Sequence, residues 1–95
     1  MRWRLFITPK VQAALRTFPP KTRRYIREAL QEICEDPWIG KPLRDELSGF
    51  QSFRARRFRL VYQIRRETIT VMVIGVGHRR TIYEEVTAEI CRSTI

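Results

Sequence analysis

Between Leu47 and Arg80 this chain carries eight arginines and one acid, Glu67, with Tyr83 following closely. Arg59 stands in the run Phe58-Arg59-Leu60-Val61-Tyr62 and Arg79 in Gly77-His78-Arg79-Arg80. A guanidinium is planar, permanently charged and forked, and so suited to the non-bridging oxygens of a phosphate. With one histidine, no paired carboxylates in this stretch and no Ser/His/Asp set, neither a carboxylate-held metal nor an acyl-enzyme has support. A nuclease of this make-up must take its nucleophile from its substrate. RNA has one, the ribose 2′-hydroxyl, which can attack the adjacent phosphorus, release a 5′-hydroxyl and leave a 2′,3′-cyclic phosphate. That reaction needs a base near the hydroxyl, cations on the non-bridging oxygens and a donor for the leaving oxygen. Tyr83, Arg59 and Arg79 have the right chemistry for these roles. Tyrosine ionises near pH 10 in water, and each unit toward neutrality takes about 1.4 kcal/mol of preferential phenolate stabilisation, which nearby guanidinium groups supply in principle. On residue types alone, a tyrosine near arginines is more often a packed or hydrogen-bonded side chain than a catalyst.

Composition narrows the partners. The chain has 95 residues and a formal charge of +9, its basic residues being 16 Arg and 3 Lys. That length suits one domain, residues 1–95, with a single core, and the 43% hydrophobic content is enough to fold it. Arginine-rich surfaces select polyanions, so nucleic acid or an acidic protein is the expected partner. No apolar run approaches the ~18 to 20 residues needed to cross a bilayer and the N-terminus lacks a signal-peptide core, so no membrane is expected and the cytoplasm is the expected location. Cys34 and Cys91 form no metal-binding spacing, so no metal and no disulfide are expected, and Cys34 reads as a buried free thiol on a helix face.

The elements that must position these residues follow from local pattern. Trp3 to Ile7 reads as a strand; Thr8-Pro9 then offers a helix cap and a first-turn proline, with Val11, Ala14, Leu15 and Phe18 at helical spacing. Pro19-Pro20 ends that helix. A second helix, about Lys21 to Asp36, carries the stripe Tyr25, Ile26, Ala29, Leu30, Ile33 and Cys34. A connection from Gly40 to about Ser52 leads to strands at Phe53–Arg57, Phe58–Arg65 and Thr68–Val76, the last two joined by a tight turn at Arg66-Glu67. The resulting order, β-α-α-β-β-β, predicts an α+β domain, an antiparallel sheet with its helices on one face. Residues 82–95 suit a short C-terminal helix with Val86 and Ile90 in register.

Alternation along Phe58–Ile64 puts Phe58, Leu60, Tyr62 and Ile64 on one face and Arg59, Val61 and Gln63 on the other. Arg54 and Arg56 share a face of the preceding strand, opposite Phe53 and Ala55. A sheet with helices on one side and arginines on the other suits a polyanion.

These residues carry a family resemblance. The element order, Gly40-Lys41-Pro42-Leu43 with Glu46-Leu47-Ser48-Gly49, Phe53-Arg54-Ala55-Arg56, Phe58-Arg59-Leu60-Val61-Tyr62, and Gly77-His78-Arg79-Arg80 with Tyr83 resemble the RelE/ParE superfamily of toxins from toxin–antitoxin pairs, across nearly the whole chain. Within it the chain is most similar to the RelE branch, whose members cleave mRNA in the ribosomal A site without a metal. The resemblance implies no cofactor, an acidic antitoxin, and the ribosome and mRNA as partners. It implies that Arg59 braces the scissile phosphate, that Arg79 supports the phosphate or leaving group, and that Tyr83 is the base. His78 is a further candidate, since some related toxins use histidine as acid or base, although a Gly-His-Arg turn suits a hydrogen-bonding spacer equally. Arg54, Arg56, Arg57 and Arg80 are the expected RNA-binding residues. Where many relatives have Gly-Asp before the arginine strand, this chain has Arg56-Arg57, which implies a shorter hairpin.

Two alternatives stay open: a ParE-like toxin that binds DNA gyrase without cleaving RNA, and a non-enzymatic RNA-binding module. Elsewhere, Arg23, Arg24 and Arg27 read as a solvated helix face, Trp38 as a plug over a helix end, and Tyr62 as core.

Overall fold

A computed structural model of the chain describes residues 2–78 and 81–93. Its elements run β1 (Arg4–Ile7), α1 (Pro9–Thr17), α2 (Pro20–Glu35), β2 (Lys41–Pro42), β3 (Gln51–Ala55), β4 (Phe58–Arg65), β5 (Thr70–His78) and α3 (Ile82–Ser93). Thr8 caps α1, its Oγ1 accepting from the Val11 N–H at 3.4 Å, and Pro9 fills the first turn, where a missing N–H breaks no bond. The stripe expected on α2 is the buried one: Ile26, Ala29, Leu30, Ile33 and the Cys34 thiol face inward. Arg24, Arg27, Glu28, Gln31 and Glu32 are exposed. No helix among the described residues is long and apolar enough to cross a membrane.

The α+β class stands, with two corrections to its details. The sheet, ordered β1-β5-β4-β3-β2, is mixed rather than antiparallel: β1 runs parallel to β5, pairing Arg4 with Thr70 through Ile7 with Val73. The two hairpins give antiparallel pairing of β3, β4 and β5. The α1–α2 crossover returns the chain in the direction of β1, so β3, and two hairpin reversals later β5, run the same way as β1. The second correction is that the helices occupy both faces. Helices α1 and α2 cover a core of Val11, Ile26, Leu30, Ile33, Leu60, Tyr62, Val71 and Val73. Helix α3 closes a smaller core on the opposite face, where Ile82 and Val86 meet Leu47 and Val61.

One irregularity determines what α3 meets. At Val61/Tyr62 the β4–β5 register shifts: Val61 pairs with Gly75 and Tyr62 with Val73, so Ile74 is the extra residue. A bulge of this kind resets alternation. Val73 and Val76 can then both face α1 and α2, while Ile74 packs against the α3 core. A Cβ on Gly75 would lie 2.6 Å from Val86 Cγ2; the absent side chain is what lets α3 sit this close to the sheet.

Strand limits also moved. β5 starts at Thr70, not Thr68, because residues 66–69 form the turn, with Ile69 at φ 50° and its N–H on the Arg66 carbonyl at 3.2 Å. β5 extends through Gly77 and His78, which pair with Arg59 and Phe58. The 40–52 connection contains β2, whose Lys41 and Pro42 pair with Ser52 and Gln51.

Tyr62 is core, as expected, but its hydroxyl also works. It donates to the Pro37 carbonyl at 2.6 Å and accepts from the Gly40 N–H at 3.1 Å, tying the segment after α2 to the middle of the sheet. A Cβ on Gly40 would collide with that hydroxyl. Trp38 is no plug: the residue is 48% exposed, its ring set edge-on to Trp3 at 5.3 Å, with the Arg66 guanidinium 5.6 Å from its centre.

Candidate functional site

The face under α3 collects the chemistry. Cross-strand partners share a face, so the pairs Ser52–Val61 and Arg54–Arg59 on β3–β4, and Arg59–Gly77 on β4–β5, set Ser52, Arg54 and Arg59 on one surface. Tyr83, in the first turn of α3, reaches down to it. Its hydroxyl donates to Ser52 Oγ at 2.9 Å, and Arg59 Nη1 donates to the same oxygen at 3.4 Å. The expected phosphate brace and the expected base therefore meet at a serine that is only 2% exposed. Arg59 and Tyr83 are themselves half-buried at the rim of the small core.

Ser52 is the residue that sequence reading missed. Its signal was present, because Ser52 lies two positions before Arg54 and so on the same face of β3. A lone serine in a strand gives no reason to single it out until Tyr83 is seen to close over it.

The other arginines divide. Arg54 stands directly across from Arg59, exposed, its Nε donating to the Arg56 carbonyl at 3.1 Å. Arg56 does not share that face. It opens the two-residue turn between Ala55 and Phe58 with φ 57°, and its guanidinium lies 5.1 Å from the centre of the Tyr25 ring on α2. The left-handed backbone breaks the alternation that would have aligned it with Arg54. Arg57 is exposed in the same turn. His78 ends β5 opposite Phe58, the two rings 6.2 Å apart and edge-on, which sets it on the α1–α2 side of the sheet, away from Arg59. Arg79 and Arg80 lie outside the described residues.

Beside Tyr83, a cavity of about 620 Å³ runs between residues 43–47 and α3, lined by Leu43, Asp45, Leu47, Tyr83, Glu84 and Thr87 among others. The tyrosine thus has the buried serine on one side and open space on another. An arginine carries five N–H donors, of which the bond to Ser52 engages one. The arrangement can present a guanidinium and a phenol together to one phosphodiester.

Known proteins share this fold. A family model described as the ParE toxin of type II toxin–antitoxin systems, parDE, matches residues 5–83. Toxin RelG of Mycobacterium tuberculosis is 35% identical over 85 residues, spanning 87% of this chain and 98% of that protein. A chain of the M. tuberculosis RelBE2 toxin–antitoxin complex superposes with a TM-score of 0.76 at 33% identity, covering 83% of this chain and 100% of that one. E. coli RelE in the free state, in a form with two arginines replaced by alanine, superposes with a TM-score of 0.80 at 26% identity over 100% of both chains. The chain belongs to the RelE/ParE superfamily of toxins of type II toxin–antitoxin systems.

Proposed function

We propose that this toxin is a metal-independent endoribonuclease that cleaves mRNA in the ribosomal A site and so stops translation. The observation that carries the reading is the convergence of Arg59 and Tyr83 on one buried serine oxygen. Tyr83 takes the proton from the ribose 2′-hydroxyl as its oxygen bonds to phosphorus. Arg59 stabilises the charge that builds on the non-bridging oxygens, where a fixed guanidinium lowers the barrier more than it favours the ground state. Arg79 protonates or steadies the departing 5′-oxygen. The product carries a 2′,3′-cyclic phosphate.

Arg54, Arg57 and Arg80 hold the RNA backbone, and Arg56 adds to the field near the hairpin tip. The whole chain is one catalytic domain working in the cytoplasm, and its partner is an acidic antitoxin. Similar chains have been solved in toxin–antitoxin complexes, including the M. tuberculosis RelBE2 complex and the intact E. coli RelBE complex. An acidic segment that folds as it binds would cover a basic domain of this size tightly.

A second reading is favoured by the match to a ParE toxin model over residues 5–83: a toxin that inhibits DNA gyrase without cleaving RNA. Primer extension on translated mRNA separates the two. Arg59→Ala and Tyr83→Phe should each slow cleavage by about 10²-fold or more with the fold intact. Inhibition of gyrase supercoiling with mRNA left uncut would move the assignment to the gyrase-binding branch.

A further inference from the structure

Ser52 is buried, at 2% exposure, with a polar side chain on the face of the sheet beneath α3. It pairs with Val61 in the interior of the sheet, next to the small core beneath α3. A serine there needs its hydroxyl partnered, since an unmet buried hydroxyl costs about 1–3 kcal/mol. Its partners come from two different elements: Arg59 Nη1 on β4 at 3.4 Å and the Tyr83 hydroxyl on α3 at 2.9 Å both donate to Oγ.

The chemistry of this three-membered chain is directional. A hydroxyl has two acceptor sites and one proton to give. While Tyr83 is a phenol, Ser52 Oγ accepts from both neighbours. Once Tyr83 is a phenolate it has no proton to donate, and the Ser52 hydroxyl can rotate to donate to it instead. The guanidinium bonded to Oγ polarises the hydroxyl and strengthens that donation, because successive hydrogen bonds in a poorly hydrated setting reinforce one another.

We propose that Ser52 is a positioning residue that couples the charge of Arg59 to the phenol of Tyr83, holding Tyr83 as an acceptor over the RNA and stabilising its phenolate. This rests on the endoribonuclease reading. In the step itself the phenolate form of Tyr83, its own proton already lost to solvent, accepts the 2′-hydroxyl proton, the 2′-oxygen to phosphorus bond forms, the bond from phosphorus to the 5′-oxygen breaks, and the leaving oxygen takes a proton from Arg79 or from water; solvent then removes the proton from Tyr83 and restores the donor. Ser52 ends the cycle with the proton it started with.

The test compares the intact chain with Ser52→Ala, and with Ser52→Cys as a variant of nearly the same size that keeps a weak donor. At saturating mRNA-programmed ribosomes, Ser52→Ala should cleave about 10-fold more slowly with little change in the half-saturating concentration, and Ser52→Cys should fall between. Arg59 faces Tyr83 from β4, Arg44, Asp45 and Glu46 line the groove beside it, and Glu84 adjoins it on α3. All of these remain in Ser52→Ala, so the pH giving half-maximal rate should be higher in that variant than in the parent through loss of the Ser52 hydroxyl alone. An optical titration reads the same coupling without RNA: the part of the near-ultraviolet phenolate absorbance that Tyr83→Phe removes should rise at higher pH in Ser52→Ala. A serine that merely pins α3 would lower the rate and leave both pH curves where they were, and that outcome overturns the coupling. A parent chain that cleaves no RNA overturns the ribonuclease reading itself, and with it the role of Ser52 in cleavage.

Discussion

Arg54 and Arg59 face each other across β3 and β4, an arrangement that repels unless an anion lies between them. Two guanidinium groups side by side add no stability of their own, so the pair supports the proposed reading of this surface as one that takes phosphate. Arg54→Gln should therefore keep or raise stability, by up to about 1 kcal/mol. The same change should weaken RNA binding and reduce by about one the slope of log affinity against log salt. Thermal melts and binding titrations across a salt series read both effects; a destabilised variant that binds as before would remove Arg54 from the interface. At this scale the sequence was informative where residue type and alternation agreed, as for Arg59. Arg56 turned away because its φ of 57° interrupts the strand pattern, which no spacing reveals. Ser52 stayed hidden because its meaning lies in a partner 31 positions along the chain.

Among the elements, α3 is the one that decides whether Tyr83 reaches the sheet. Its described buried side chains are Ile82 and Val86, each worth about 1.5–3 kcal/mol, so its seat is shallow and sensitive to shape. Gly75→Ala would set a methyl against Val86 Cγ2, and valine has little rotamer freedom with which to yield. The expected outcome is a loss of about 1–3 kcal/mol, together with slower RNA cleavage as Tyr83 lifts from Ser52. Chemical denaturation and the primer-extension assay measure the two; unchanged values in both would show that α3 does not depend on this close approach. The stripe of α2 and the β3–β4–β5 run were legible because their apolar periods are local. Residues 77–78 were read as part of a turn, and what makes them strand is pairing with β4. The stripe of α3 could be read, but not the face it covers, since that depends on a bulge between Val61 and Tyr62.

For the whole molecule, Tyr62 joins the sheet to the segment that follows α2. Burial, the dominant cause, raises its hydroxyl to about 12; the Gly40 N–H pulls the other way and Asp36 adds to the rise. In the unfolded chain a tyrosine ionises near pH 10. The folded state therefore holds a proton that the unfolded state releases first, so this contribution is complete below about pH 10 and is lost as pH climbs toward 12. Tyr62→Phe should be less stable at neutral pH and lose less stability than the parent over that alkaline window, as denaturant midpoints would report. Topology was the least legible level. The parallel pairing of β1 with β5 joins Arg4 to Thr70, and local patterns carry no sign of a partner so distant. The proposed reaction is read out by the chemistry of the RNA ends left by the purified chain acting on translated mRNA in the presence of EDTA. The expected products are a 5′-hydroxyl on one fragment and a 2′,3′-cyclic or 3′-phosphate on the other, both formed about 10²-fold more slowly with Arg59→Ala; a 3′-hydroxyl, or cleavage abolished by chelation, would contradict metal-independent attack by the 2′-hydroxyl.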